Sequence, residues 1–294
     1  MVREMTKAAP AGSAKLQWVA GALRSGYSPS FWDYFLNSQN HAPGTPIDWI
    51  SAHYYGGASS STNESTWWSF FTGVDTAFAG DVAATLKTRD ALAPHVKVAF
   101  NEVGIFIGGG GNQTNPNFPP SFWNAAAAQH VYMYIRAAQA GLDSLGMSQL
   151  VANPPLVNWP GCGGCTIGDQ YASVAILDWN TGNGTARYWA LKLLIDHAGV
   201  GDALHNTTAA STLPPGPLGG PPVFGQALVS ASGVKKLLLL NKDTVPRDVE
   251  VAGAAGATAL TVDFATGFGP PRSEVLADDT FTMDKFAVMV LLWA

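Results

Sequence analysis

The residues in this chain with the means to do chemistry are few, and they fall in three short stretches. One is Ser51-Ala52-His53-Tyr54-Tyr55, which closes an apolar run that begins at Ile47. At the two-residue period of a strand, Ile50, Ala52 and Tyr54 share one face, and Ser51, His53 and Tyr55 share the other. The second is Asn101-Glu102, set between Phe100 and Val103. A carboxylate in such surroundings is costly to bury unless it is paired or put to use. The third is Ser148-Gln149, followed in a Pro-rich loop by Trp159, whose flat ring suits stacking against a sugar. Each has a plainer reading. Glu102 fits a structurally paired carboxylate, His53 a satisfied core histidine, and Trp159 ordinary loop packing; Gln149 alone carries almost no specificity.

Other motifs fall away. The glycine run at 108–111 lacks the Gly-Lys-Ser/Thr ending of a phosphate loop, and Asn/Pro-rich sequence follows where a helix would have to start. No Gly-x-Ser-x-Gly elbow occurs. The six histidines are dispersed, so no metal and no other cofactor is expected. Cys162 and Cys165 lie in Pro-Gly-Cys-Gly-Gly-Cys, without the second ligand pair a zinc site needs. Their Gly/Pro flanks do not make the helix start of a thioredoxin-type site, so a small loop disulfide is expected, with two free thiols as the alternative. Sequons at Asn63, Asn112, Asn183 and Asn206 favour the secretory route only weakly, and the localisation is otherwise open.

For these residues to act together, strands must bring them to one edge, because reacting groups of parallel α/β sheets gather at the carboxyl ends of strands. The pattern supplies such strands. Apolar runs at 15–23, 47–55, 96–107 and 142–151 read as strands. Helical patterns alternate with them at 28–36, 74–92, 121–140 and 185–198, the first with Ser28 as cap and Pro29 in the first turn. A short run at 174–179 reads as one further strand. Four strand–helix units imply a parallel sheet. Residues 206–222 form a Pro/Gly-rich linker. Beyond it come only short strands, at 223–231, 235–241, 248–252, 259–264 and 286–293, the mark of an antiparallel sandwich. The expected division is therefore an α/β domain at 1–205, a linker, and an all-β domain at 223–294.

Composition narrows the function classes. Only 13% of the 294 residues are charged and 11% are aromatic, which argues against disorder and coiled coil. The net charge is −5 with Lys and Arg scattered, so there is no footprint for nucleic acid. No apolar run approaches the roughly 18 residues of a membrane span. Residues 1–7 lack the apolar core of a signal peptide.

Several stretches together resemble the retaining glycoside hydrolases of clan A, and most closely family 39, the group of β-xylosidases and α-L-iduronidases. They are Phe31-Trp32-Asp33-Tyr34-Phe35-Leu36, Asn40-His41-Ala42-Pro43-Gly44-Thr45-Pro46-Ile47-Asp48-Trp49 running into the His53-Tyr54-Tyr55 strand, Val98-Ala99-Phe100-Asn101-Glu102, Gly146-Met147-Ser148-Gln149-Leu150, and Leu177-Asp178-Trp179 leading to Arg187-Tyr188-Trp189. The resemblance implies a partial (β/α)8 barrel, strands five to eight, followed by a β-sandwich. Strand 47–55 resembles the sixth, 96–107 the seventh and 142–151 the eighth. Glu102 then resembles the nucleophile, with Tyr55 or His53 as its hydrogen-bonding neighbour and Asn101, Gln149 and Trp159 on the carbohydrate side. Strands one to four and the acid/base glutamate have no counterpart in this sequence. Two functions follow: the nucleophile half of a glycosidase site, completed by a longer chain or a partner, or a non-catalytic carbohydrate-binding or structural relative. An open half barrel exposes sheet edges, so self-association is expected as well.

Overall fold

The computed structural model describes residues 17–23, 26–58, 63–107, 121–148, 150, 175–177, 182–212, 217 and 220–293. The chain divides into two compact units, one drawn from 1–55, 76–103 and 137–147 and the other from 56–75, 104–136 and 148–294.

The first unit is built on a sheet of four strands, β1 (Val19–Leu23), β2 (Trp49–Ala58), β3 (Lys97–Ile107) and β4 (Ser144–Met147), in that spatial order. β1 runs parallel to β2, and β3 parallel to β4. Helix α1 (Pro29–Leu36) starts where the sequence puts it, with Pro29 in its first turn, although Ser28 makes no side-chain cap. It buries Trp32 and Leu36, one turn apart.

The helical stretch expected over 74–92 begins earlier. Helix α2 (Trp68–Gly73) leads through a π-turn (Val74–Phe78) into α3 (Ala79–Leu92). Buried Trp67, Phe71, Val74, Phe78 and Val82 are three or four residues apart, with Phe70 buried beside Phe71, so the helical period continues across the π-turn. In the first unit, Phe78 at the end of that turn joins helix to sheet, with its ring 5.1 Å from Tyr54 on β2 and 5.4 Å from Phe100 on β3.

β4 is shorter than the strand expected over 142–151. Gly141, at a φ of 75°, ends helix α4 (Ser121–Ala140), and Leu142 still donates its N–H to Ala137 in the helix exit. Asp143 is used to accept from the Val98 N–H at 2.9 Å and to meet Arg89. Only Ser144 onward is left for the ladder.

The second unit holds the antiparallel strands. Six of them, β5 (Ala203–His205), β6 (Val223–Val229), β7 (Lys235–Asn241), β9 (Thr258–Val262), β10 (Arg272–Val275) and β12 (Val288–Leu292), form one sheet in the order β10-β9-β12-β7-β6-β5. The remaining two, β8 (Arg247–Glu250) and β11 (Thr280–Met283), pair with each other. Leu239, Ala259, Met289 and Leu291 of the large sheet pack with Met283, Val249 and Phe281 of the small one. Helix α5 (Ala186–His197) packs on β9 and β12. β12 is thus covered on both sides, which is why its sequence is an unbroken apolar run.

The strands β5, β10 and β11 escaped the sequence reading because each is only three or four residues long, too short for a period to stand out; β5 and β10 are exposed throughout, while Phe281 and Met283 of β11 turn to the core. β5 pairs with β6, so the antiparallel sheet begins ahead of residues 206–222. The strand expected at 174–179 is reduced, in its described part, to a single bridge between Leu177 and Gly184. The Ala175 carbonyl accepts from the Arg187 side chain, and the Ile176 carbonyl from both the backbone N–H and the hydroxyl of Thr185. A parallel α/β portion followed by an antiparallel β portion is the order the sequence implies. Among the described residues, no helix is long and apolar enough to cross a membrane.

Candidate functional site

β2 keeps the alternation expected of it. Ile50, Ala52 and Tyr54 are buried, with Tyr54 against Phe78 of the helical layer. Burial, and next the charge of Asp81, push the Tyr54 phenol far above its ordinary value, so it stays a neutral core group. His53 and Tyr55 lie on the opposite face, and the backbone of His53 is pinned by the Gly26 N–H at 3.0 Å.

β3 does not alternate regularly. Val98, Ala99 and Phe100 are all buried, as are Val103 and Ile105 further along, so burial does not mark a single core face on this strand, and the register does. Phe100 opposes Leu145 and Val103 opposes Met147, three steps on β3 against two on β4. This is a β-bulge, and it leaves both Asn101 and Glu102 out of the core.

Glu102 there meets the polar face of β2. The Tyr55 hydroxyl donates to its Oε1, and His53 Nδ1 lies 3.3 Å from its Oε2. The Glu102 side chain remains 42% exposed and that of His53 17% exposed. A carboxylate held at both oxygens, yet open to solvent, is fixed in orientation and accessible to a ligand. Such a group can act as a nucleophile, a base or a polar anchor.

Of the residues singled out from sequence, His53, Tyr55 and Glu102 come together in the first unit. Asn101 sits beside Glu102 on exposed backbone. Gln149, Trp159, Cys162, Cys165, Asn112 and the glycine run at 108–111 lie outside the described residues. Glu64 has a separate task in the second unit, where Ser121 donates to its Oε1 and Lys285 meets its Oε2 at 2.8 Å. Glu250 and Glu274 lie on the antiparallel strands β8 and β10. Among the described residues, no group of three or more His, Cys, Asp or Glu side chains is placed to hold a metal ion. What sequence reasoning missed is the bulge. Apolar residues of β3 fall on both parities, Ala99 and Val103 on one and Val98 and Phe100 on the other, so the run carries no signal for it.

No family model matches the chain, and no curated protein matches it in sequence. Solved structures do match in fold. The family 51 (GH51) arabinofuranosidase from Xanthomonas axonopodis pv. citri superposes with a TM-score of 0.61 at 15% identity, over 99% of this chain and 61% of that one. The α-L-arabinofuranosidase from Thermotoga maritima, solved as an arabinose complex, gives 0.58 at 17% identity, over 94% and 57%. A Paenibacillus polymyxa xyloglucanase of glycoside hydrolase family 44 gives 0.56 at 14% identity, over 98% and 59%. The chain therefore spans 57–61% of the length of these enzymes and is similar to them in fold over that span.

Proposed function

We propose that this chain carries the nucleophile side of a retaining glycoside hydrolase site, with Glu102 as nucleophile, His53 and Tyr55 as the residues that position it, and Asn101, Gln149 and Trp159 on the carbohydrate side. The observation that carries this reading is the pairing of a solvent-accessible Glu102 on β3 with Tyr55 and His53 on the adjacent strand β2. In the reaction a Glu102 oxygen attacks the anomeric carbon and the bond to the leaving oxygen breaks. A second carboxyl group protonates that oxygen and later activates the water that releases the sugar. Tyr55 and His53 hold the attacking carboxylate so that little reorganisation is needed. The substrate class is a glycoside. Pentosides come first, since the motifs are most similar to family 39 and two of the fold relatives are arabinofuranosidases. The division into 1–205, 206–222 and 223–294 belongs to the same proposal.

Retention requires two carboxyl groups about 5–5.5 Å apart. Glu64, Glu250 and Glu274 all lie off the parallel sheet. This favours a second reading, in which the chain binds carbohydrate without turning it over, or acts only with a partner that supplies the acid.

The test is incubation with activated 2-deoxy-2-fluoro arabinofuranosides and xylosides, followed by intact-mass analysis and peptide mapping, with E102Q as control. A single adduct on Glu102, absent from E102Q, is expected. No adduct, with sugar binding retained in calorimetry, transfers support to the binding reading. Neither adduct nor binding overturns both.

A further inference from the structure

We propose that Gly146 is a positioning residue for Glu102: having no side chain, it lets β4 lie against the bulge at Asn101 and Glu102, and this bulge turns the carboxylate onto the face that carries His53 and Tyr55. The inference rests on the reading of Glu102 as the reacting group.

Parity makes the argument. In a regular strand, residue 102 shares its face with residues 98 and 100. Phe100 packs on Phe78, which also packs on Tyr54, so that is the face turned to the helical layer. His53 and Tyr55 are on the other side of β2. An unbulged β3 would send Glu102 away from both and into apolar surroundings. One extra residue between Phe100 and Val103 reverses the assignment.

The extra residue has to fit beside β4, and Gly146 is the position that faces it. A Cβ on Gly146 would lie 3.0 Å from the Asn101 carbonyl oxygen and 3.4 Å from both its carbonyl carbon and Cα. All three are backbone atoms, so no rotamer change can relieve the contact. The need for glycine here is space for a neighbouring strand, at the peptide that leads directly into Glu102.

The test uses the full chain labelled with 13C at tyrosine Cζ, the Tyr55 resonance being assigned through Y55F. In the wild type, E102A moves that resonance, because the hydroxyl loses its acceptor. In G146V the resonance is expected where E102A puts it, and adding E102A moves it no further; G146A is expected to move it in the same direction. G80A on α3, where a Cβ meets nothing within 4 Å, is expected to leave the signal in place. If G146A and G146V keep both the wild-type signal and its response to E102A, the proposal is overturned. Should neither variant fold, cross-strand NOEs in the wild type decide. Phe100 with Leu145 and Val103 with Met147 sustain the bulge, whereas an even register removes it. None of these readouts involves a glycoside. A wild type that is never labelled by fluoroglycosides removes the proposed reaction and leaves this inference standing, and the converse also holds.

Discussion

At the scale of single residues, the Tyr55 hydroxyl and the His53 imidazole decide what Glu102 can do. A hydrogen bond to a charged group contributes about 1.5–3 kcal/mol, and each 1.4 kcal/mol is roughly tenfold in rate. Y55F is therefore expected to slow fluoroglycoside labelling of Glu102 by about 10–100-fold, while thermal unfolding changes little because the pair is half open to solvent. Equal labelling rates would show that Tyr55 has no part in positioning the carboxylate. His130 in the second unit makes a different prediction. It is fully buried on α4, and burial first, then the Arg187 charge, hold its pKa well below the ordinary value. Above about pH 6.5 the imidazole is neutral in both folded and unfolded chains. As pH falls through that value, the unfolded chain takes up a proton that the folded one does not. Stability is then lost at up to about 1.4 kcal/mol per pH unit. Urea midpoints at pH 7.5, 6.5 and 5.5 are expected to fall in the wild type and to flatten in H130Q. Parallel slopes would contradict the assignment.

At the scale of elements, apolar spacing is what carries the helices through local irregularity. Through the π-turn the buried positions 67, 71, 74, 78 and 82 stay three or four residues apart. The turn that leads into β12 shows the reverse case, where packing overrides backbone preference. Phe286 has a φ of 55°, a left-handed conformation rare for a bulky side chain, yet it is fully buried, with its ring 5.9 Å from Trp67 and 6.3 Å from Phe71. F286A is expected to cost about 3–5 kcal/mol, the usual range for emptying a buried aromatic site. F286G removes the same ring but suits the backbone. It should destabilise no more than F286A, an inversion of the order seen where φ is negative. Chemical denaturation of the two variants measures this, and a clearly weaker F286G would show that the left-handed backbone at 286 carries no strain for a residue with a Cβ.

At the scale of the whole molecule, the parallel sheet as described ends in two edges, β1 and β4. Parallel strands are ordinarily covered on both sides, but Val19 on β1 is 61% exposed. Such an edge is a template for pairing with another chain. Light scattering is expected to show association that grows with concentration, and V19K to reduce it. A monodisperse monomer across the range would show that these edges are satisfied within one chain.

The sequence by itself determined the order of an α/β portion and an antiparallel β portion, because burial on a helix or strand writes its period into the residue types. It also placed His53 and Tyr55 on one face of β2 and marked Glu102 as a carboxylate that is costly to bury among apolar neighbours unless paired or put to use. It could not place β5 and β10, which are short and exposed, nor β11, whose alternation spans only four residues. Nor could it say that Glu102 meets Tyr55 and His53, since a regular reading of β3 sends the carboxylate to the opposite face. That was decided by the register of β3 against β4, where one additional residue is accommodated over a glycine. Register depends on contacts between residues some forty positions apart, and no local pattern encodes it.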